Sequence, residues 1–147
     1  MKKVLIGILA LIMVLGLVGC SDEKKENYEK AISYAEDGDY FLAIEVMENA
    51  LGYNDSNELL LEYKYAYAVN LTGYNNQFVM PEVQNKTDFA SLYIDGALAY
   101  NQDMYENYTE AYNIFKDLQE NGYGKNVDCL VDFTEQAIIE GATILGK

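Results

Sequence analysis

Through most of the chain, apolar residues return every three or four positions, the spacing of a helix with one packed face. Tyr28, Ala31, Ile32 and Ala35 form a first stripe. Phe41, Ile44, Met47 and Leu51, with Ala43 and Ala50 beside them, form a second, and Leu59, Leu60, Tyr63, Ala66 and Tyr67 form a third. Asp37-Gly38-Asp39 breaks the first stripe from the second, and Gly52-Tyr53-Asn54 ends the second. Asp55-Ser56-Asn57-Glu58 then has the form of a capping box, a short polar acceptor with Glu three residues on. Residues 73–86 lack any helical period and hold the one proline, Pro81, so they are expected to form an irregular loop. Helical spacing resumes at Thr87-Asp88, runs through Ala97 to about Gln102, and returns over Tyr108–Gln119. Beyond a turn at Gly122 and Gly124, Asn126 is the expected cap of a last helix with Cys129, Leu130, Phe133, Ala137, Ile138, Ile144 and Leu145 on its apolar face. The pattern predicts an all-α domain over residues 28–147, with about six helices in antiparallel pairs.

Residues 1–20, MKKVLIGILALIMVLGLVGC, follow a different rule. Two lysines precede the apolar run Val4–Val18, which is shorter than the roughly 20 residues of a comfortable membrane span. A charged start, an apolar middle and small residues before a cut make a secretory signal. Its ending, Leu17-Val18-Gly19-Cys20, resembles the lipobox of bacterial lipoproteins. The resemblance implies cleavage between Gly19 and Cys20 and a lipid (palmitate-type acyl chains) on Cys20. It also implies a location on the extracytoplasmic face of the cell membrane. Residues 1–19 would be the signal peptide and residues 20–27 a lipidated cysteine with a short solvated tether, whose reach is at most about 25 Å. More than one acyl chain makes such an anchor effectively permanent.

The helical body also repeats. Tyr40, Ala43, Met47 and Ala50 recur as Tyr108, Ala111, Phe115 and Leu118 at an offset of 68. Ala31 and Tyr34 recur as Ala97 and Tyr100 at 66, which places two extra residues in the loop before Tyr108. Gly52-Tyr53, Leu60 and Tyr63 recur as Gly122-Tyr123, Leu130 and Phe133 at 70. An offset near twice 34 resembles the tetratricopeptide-repeat (TPR) family, whose period is 34. The family's order of small and bulky residues is met by Ala31, Tyr34, Gly38, Tyr40, Ala43, Met47, Ala50 and Leu51. The second copy keeps Ala97, Tyr100, Tyr108, Ala111, Phe115 and Leu118 but lacks the glycine, and the middle copy is poor. The resemblance implies helix pairs stacked as a short TPR-like solenoid, closed by the last helix as a cap, and a role in binding. Small alanines at 43, 50 and 111 would let paired helices approach, with Met47 and Phe115 filling the groove.

Composition narrows the function. The formal net charge is -14, and losing Lys2 and Lys3 with the signal segment takes it to -16. Such a charge argues against nucleic acid, whose phosphates need Lys and Arg. It favours a basic protein or peptide partner, steered over long range. There is no His, so neither a Ser-His nor a Cys-His nucleophile can be built, and no enzyme activity is expected. Cys129, beside Leu130 on the apolar stripe, is expected to be a buried thiol, and with Cys20 lipidated it has no disulfide partner. The oxygen-rich turns at Asp37–Asp39 and Asn54–Glu58 lack the calcium-loop spacing and read as helix caps, so no metal or cofactor is expected.

Fourteen tyrosines remain to be placed. Tyr34, Tyr40, Tyr100 and Tyr108 occupy repeat positions and belong between helices. Tyr65, Tyr74, Tyr93, Tyr105 and Tyr112 have no core position in the pattern. Exposed tyrosine among acids and Asn makes an adhesive surface at low entropic cost, so these five are the candidate partner-binding residues. The competing reading is a ligand-binding lipoprotein that holds a glycan, peptide or cation near residues 73–86, since long irregular loops are often functional.

Overall fold

The computed structural model describes residues 22–73, 101–125 and 127–147. Among them the chain is all-helical, with five α-helices. Helix α1 covers 22–36, α2 Tyr40–Met47, α3 Ser56–Leu71, α4 Gln102–Glu120 and α5 Val127–Leu145, and a 3-10 turn, Glu48–Ala50, continues α2. The chain divides into two compact units, with the boundary between Tyr63 and Lys64 inside α3.

In the first unit, Ala31 of α1, Ala43 and Met47 of α2, Ala50 of the 3-10 turn, and Leu60 and Tyr63 of α3 form one buried cluster. The three alanines are fully buried, and small side chains at such positions suit close packing of helices. Tyr34 and Tyr40 are half-buried against the cluster. The link from α1 to α2 is a Schellman turn: Gly38 N–H donates to Ala35 C=O at 3.0 Å and Asp39 N–H to Tyr34 C=O at 2.9 Å. The turn requires a left-handed residue, and Gly38 supplies it at φ +82°. The carboxylate of Asp39 then caps α2 by accepting from Leu42 N–H.

Two expectations about this unit need correction. Phe41 and Leu51 lie outside the core, 50 % and 40 % exposed. The inward arc of α2 is set by Ala43 and Met47, four residues apart, and Phe41 falls well off that line. Leu51 follows the 3-10 turn, where the α-helical period has ended. Residues 22–27, expected as a solvated tether, are helical as the first turns of α1. No Gly or Pro interrupts them, Lys25 and Glu29 pair at 3.7 Å, and Lys24 Nζ donates to the Leu51 carbonyl at 2.6 Å.

α3 starts behind Asp55, whose carbonyl accepts from Glu58 and Leu59 N–H, both at 3.0 Å. Its carboxylate accepts from Tyr28 O–H at 2.6 Å. Ser56 opens the helix fully buried, with no hydrogen-bond partner for its Oγ among the described residues. Replacing it with alanine removes an unpaired hydroxyl and leaves the Cβ in place. Ser56→Ala is expected to leave the urea midpoint unchanged or raise stability by up to about 1 kcal/mol. A loss of similar size would mean that the hydroxyl is hydrogen-bonded after all.

In the second unit, α4 and α5 pack along each other and the second half of α3 adds to them. Tyr108, Ala111, Phe115 and Leu118 form the buried face of α4. Val127, Leu130, Val131, Phe133, Thr134, Ala137 and Gly141 form that of α5. α4 begins at Gln102, six residues ahead of the expected start. Asn101 caps it, its Oδ1 accepting from Met104 N–H at 2.8 Å, and no glycine stops the helix before Tyr108. The supposed loop before Tyr108 is therefore helix. α4 ends in a second Schellman turn, Gly122 N–H to Gln119 C=O at 3.1 Å and Tyr123 N–H to Leu118 C=O at 3.0 Å, with Gly122 at φ +70°.

Cys129 is also corrected: it is exposed. The buried line of α5 runs through Val127, Leu130, Thr134 and Ala137, and Cys129 sits one residue, about 100°, off Leu130 on the outward side. Ile144, expected on the apolar face, is 60 % exposed near the helix end. The helix expected over 87–100, with Ala97 and Tyr100, lies outside the described residues, as do the loop positions from 74, the Asn126 cap and the N-terminal segment with Gly19 and Cys20.

The repeat register can be compared position by position. Ala43, Met47 and Ala50 are buried in the first unit, and Ala111, Phe115 and Leu118 are buried in the second. Tyr40 meets Tyr63 with ring centroids 6.3 Å apart, and their counterparts Tyr108 and Phe133 meet at 6.0 Å. Each unit thus carries the same aromatic pair, between its second helix and the helix that follows.

Candidate binding surface

The surface of the second unit follows from the turn of α4. Asp103, Glu106, Glu110, Asp117 and Glu120 are spaced by three, four, seven and three residues, which places all five on one face of the helix. That face is opposite Tyr108, Ala111 and Phe115, so burying the apolar side necessarily presents the acidic one.

The second half of α3 engages two of these carboxylates. Lys64 Nζ pairs with Asp117 at 3.0 Å, and Tyr67 O–H donates to Glu110 at 3.1 Å. The ion pair is partly solvated and contributes about 0.2–1 kcal/mol. Burial, and then the bond to Glu110, raise the Tyr67 phenol above its ordinary pKa. In the first unit the bond to Asp55 does the same for Tyr28, while burial, with the Asp55 and Glu36 charges, raises Tyr63. These three phenols stay protonated at neutral pH, and Tyr28 and Tyr67 act as hydrogen-bond donors.

Of the five candidate tyrosines, Tyr65, Tyr105 and Tyr112 are placed, and Tyr74 and Tyr93 lie outside the described residues. All three are half-buried. Tyr65 stands edge-on to Phe115 with centroids 6.2 Å apart, and lies 5.5 Å from the Tyr123 ring. Lys125 Nζ sits over both tyrosines, 5.1 Å from the Tyr65 centroid and 5.6 Å from that of Tyr123. Tyr105 lies under Lys147 Nζ at 4.1 Å. Tyr65 and Tyr105 therefore each carry one of the chain's own ammonium groups on a ring face. The turn at Gly122 creates the first arrangement by bringing Tyr123 and Lys125 back to α3. Sequence reading missed both residues, although Tyr123 occupies the repeat position of Tyr53, which packs on Tyr28 at 5.3 Å.

Among the described residues no group of three or more His, Cys, Asp or Glu is placed to hold a metal ion, and no helix is long and apolar enough to cross a membrane. No family model matches the chain, and it matches neither a curated protein nor a solved structure.

Proposed function

We propose that the protein is a membrane-anchored, extracytoplasmic binding protein, held by lipid on Cys20, whose acidic, tyrosine-rich helical surface recruits a basic protein or peptide. The observation that carries the anchor is the N-terminal pattern itself: Lys2-Lys3, an apolar run of fifteen residues, and Leu17-Val18-Gly19-Cys20. The binding role draws support from the carboxylates aligned on α4 and the tyrosines beside them. A charge of -16 after loss of the signal segment would speed encounter with a basic partner and make it salt-sensitive. A short stack of TPR-like helix pairs is the architecture we favour, on the strength of the matched pairs Tyr40–Tyr63 and Tyr108–Phe133. Catalysis has no part in this reading, since the chain has no His and Cys129 has no basic partner in sequence.

Photocrosslinking in cells tests it, with probes at Tyr105 and Tyr112 and at exposed Glu106 of the acidic face. One dominant protein adduct, lost on raising salt, is the expected result. Surfaces free of protein adducts would overturn recruitment and favour a small ligand, to be sought by thermal-shift screening with sugars, peptides and divalent cations.

A further inference from the structure

We infer that Lys24 is a latch: its ammonium, bonded to the Leu51 carbonyl, holds the first turns of α1 in helix and so limits the free chain behind a lipidated Cys20. The effect on the free chain rests on the anchor reading above; the latch itself does not.

Residues 22–26 are exposed throughout and contribute nothing to the buried core. From Tyr28 onward α1 is seated on its unit: the Tyr28 phenol bonds Asp55, its ring meets Tyr53, and Ala31 is fully buried. Ahead of Tyr28, among the described residues, Lys24 makes the hydrogen bond that reaches another element, Nζ to Leu51 C=O at 2.6 Å, while Lys25 pairs with Glu29 inside α1. Lys24 stands one turn before Tyr28 on the same helix face, so this bond extends the seated side of α1 by a turn. The receiving peptide unit is fixed from its other end. Gly52 N–H, in the same peptide plane as the Leu51 carbonyl, donates to Asn57 Oδ1 at 3.1 Å. Tyr53 N–H bonds back to Ala50 C=O at 3.0 Å and closes the turn. The acceptor is therefore held by the 3-10 turn and α3, and Lys24 is the moving part.

Helix preference alone works against this placement. A cation in the first turns opposes the positive end of the helix dipole, and Lys24 has no acid three or four positions away on either side. What the lysine gains lies on the Leu51 carbonyl. Asp22, Glu23 and Glu26 outnumber Lys24 and Lys25, so an anionic headgroup gains little by drawing the ammonium away. A helix end held only by its own backbone bonds frays at low cost. With the latch closed the chain is helical from residue 22; with it open, residues 22–26 join the chain between lipid and body.

Hydrogen exchange of the full chain in a non-ionic detergent tests the latch at the amides of Glu26, Asn27 and Tyr28, the first that a helix starting at residue 22 can bond. Lys24→Met, of nearly equal helix propensity, should speed their exchange at least about threefold, the size of one exposed hydrogen bond. Unchanged or slower exchange, the result expected from removing a first-turn cation alone, overturns the latch. Lys24→Arg keeps a donor and should restore protection. Lys25→Met should have a smaller effect than Lys24→Met; an equal effect overturns the latch, because it would report lost charge and not a lost bond. The amides of Ala31 and Ala43 check the fold and should not change. If Lys24→Met speeds them too, Lys24→Gln is measured in its place, and loss of the core in both variants overturns the inference. In the anchored protein, a dye on Glu45→Cys in a Cys129→Ser background reports distance to headgroup acceptors. Lys24→Met should lower energy transfer, and unchanged transfer overturns control of the free chain. Exchange reads the latch whether or not Cys20 carries lipid. Unchanged exchange in a lipidated protein would remove the latch and leave the anchor standing, and faster exchange in an unlipidated one would uphold the latch and remove the anchor.

Discussion

Phe115→Ala will cost the second unit about 3–5 kcal/mol, and the loss will appear as a lower denaturation midpoint by circular dichroism. Phe115 is among the largest fully buried side chains, and it supports the Tyr65 ring from below. Removing it leaves a void beneath a half-buried tyrosine and forfeits the aromatic contact as well as the transfer energy. Its counterpart in the repeat register, Met47, is also fully buried, and Met47→Ala is expected to cost about 2–5 kcal/mol. The pair distinguishes an internal repeat from coincidence. If 47 and 115 are equivalent groove fillers, both truncations lower the midpoint and neighbouring alanines tolerate no bulk: Ala43→Phe and Ala111→Phe destabilise too. An unchanged midpoint for all four would remove the repeat assignment.

Cys20→Ala has an all-or-none expectation. The proposed anchor depends on a single thiol, so the variant should incorporate no labelled fatty acid and accumulate at precursor size, with residues 1–19 still attached. The wild type should partition wholly into the membrane fraction and the detergent phase. A Cys20→Ala protein that still carries lipid would overturn the anchor. A wild type that is cleaved but unlipidated would leave secretion in place and release the protein from the surface.

The helical class was legible because it depends only on period, and the period of 3.6 is written into the stripes of apolar residues. Which member of a stripe faces inward was less legible. Cys129, Phe41 and Ile144 are apolar and near the right spacing, but burial follows the arc that meets a neighbouring helix, and on α5 that arc is centred on Leu130, Thr134 and Ala137. Alanines are poor signals in hydrophobic terms, yet Ala31, Ala43 and Ala50 are as fully buried as Met47, since close backbone approach needs small residues. The early start of α4 was hidden by the repeat alignment, which reserved residues before Tyr108 for a loop, while Asn101 supplied the cap. Tyr65 was recognisable as lying off the Tyr63–Tyr67 stripe. What could not be read was its company: Tyr123 and Lys125 reach it only because Gly122 reverses the chain some sixty residues later.

The helical state of residues 22–27 has a consequence for how far the protein can act. Six residues in helix advance by about 9 Å, where the same six extended would reach about 20 Å. With lipid on Cys20, helix is present from residue 22 onward, two positions past the anchored residue. The leash is then almost absent, and the body would ride on the bilayer instead of sampling a volume above it. A protein held this way searches in two dimensions. Its partners would be met by lateral diffusion within the membrane plane, or would have to descend to it, and lengthening the chain between Cys20 and α1 would widen its catchment without altering a single contact surface.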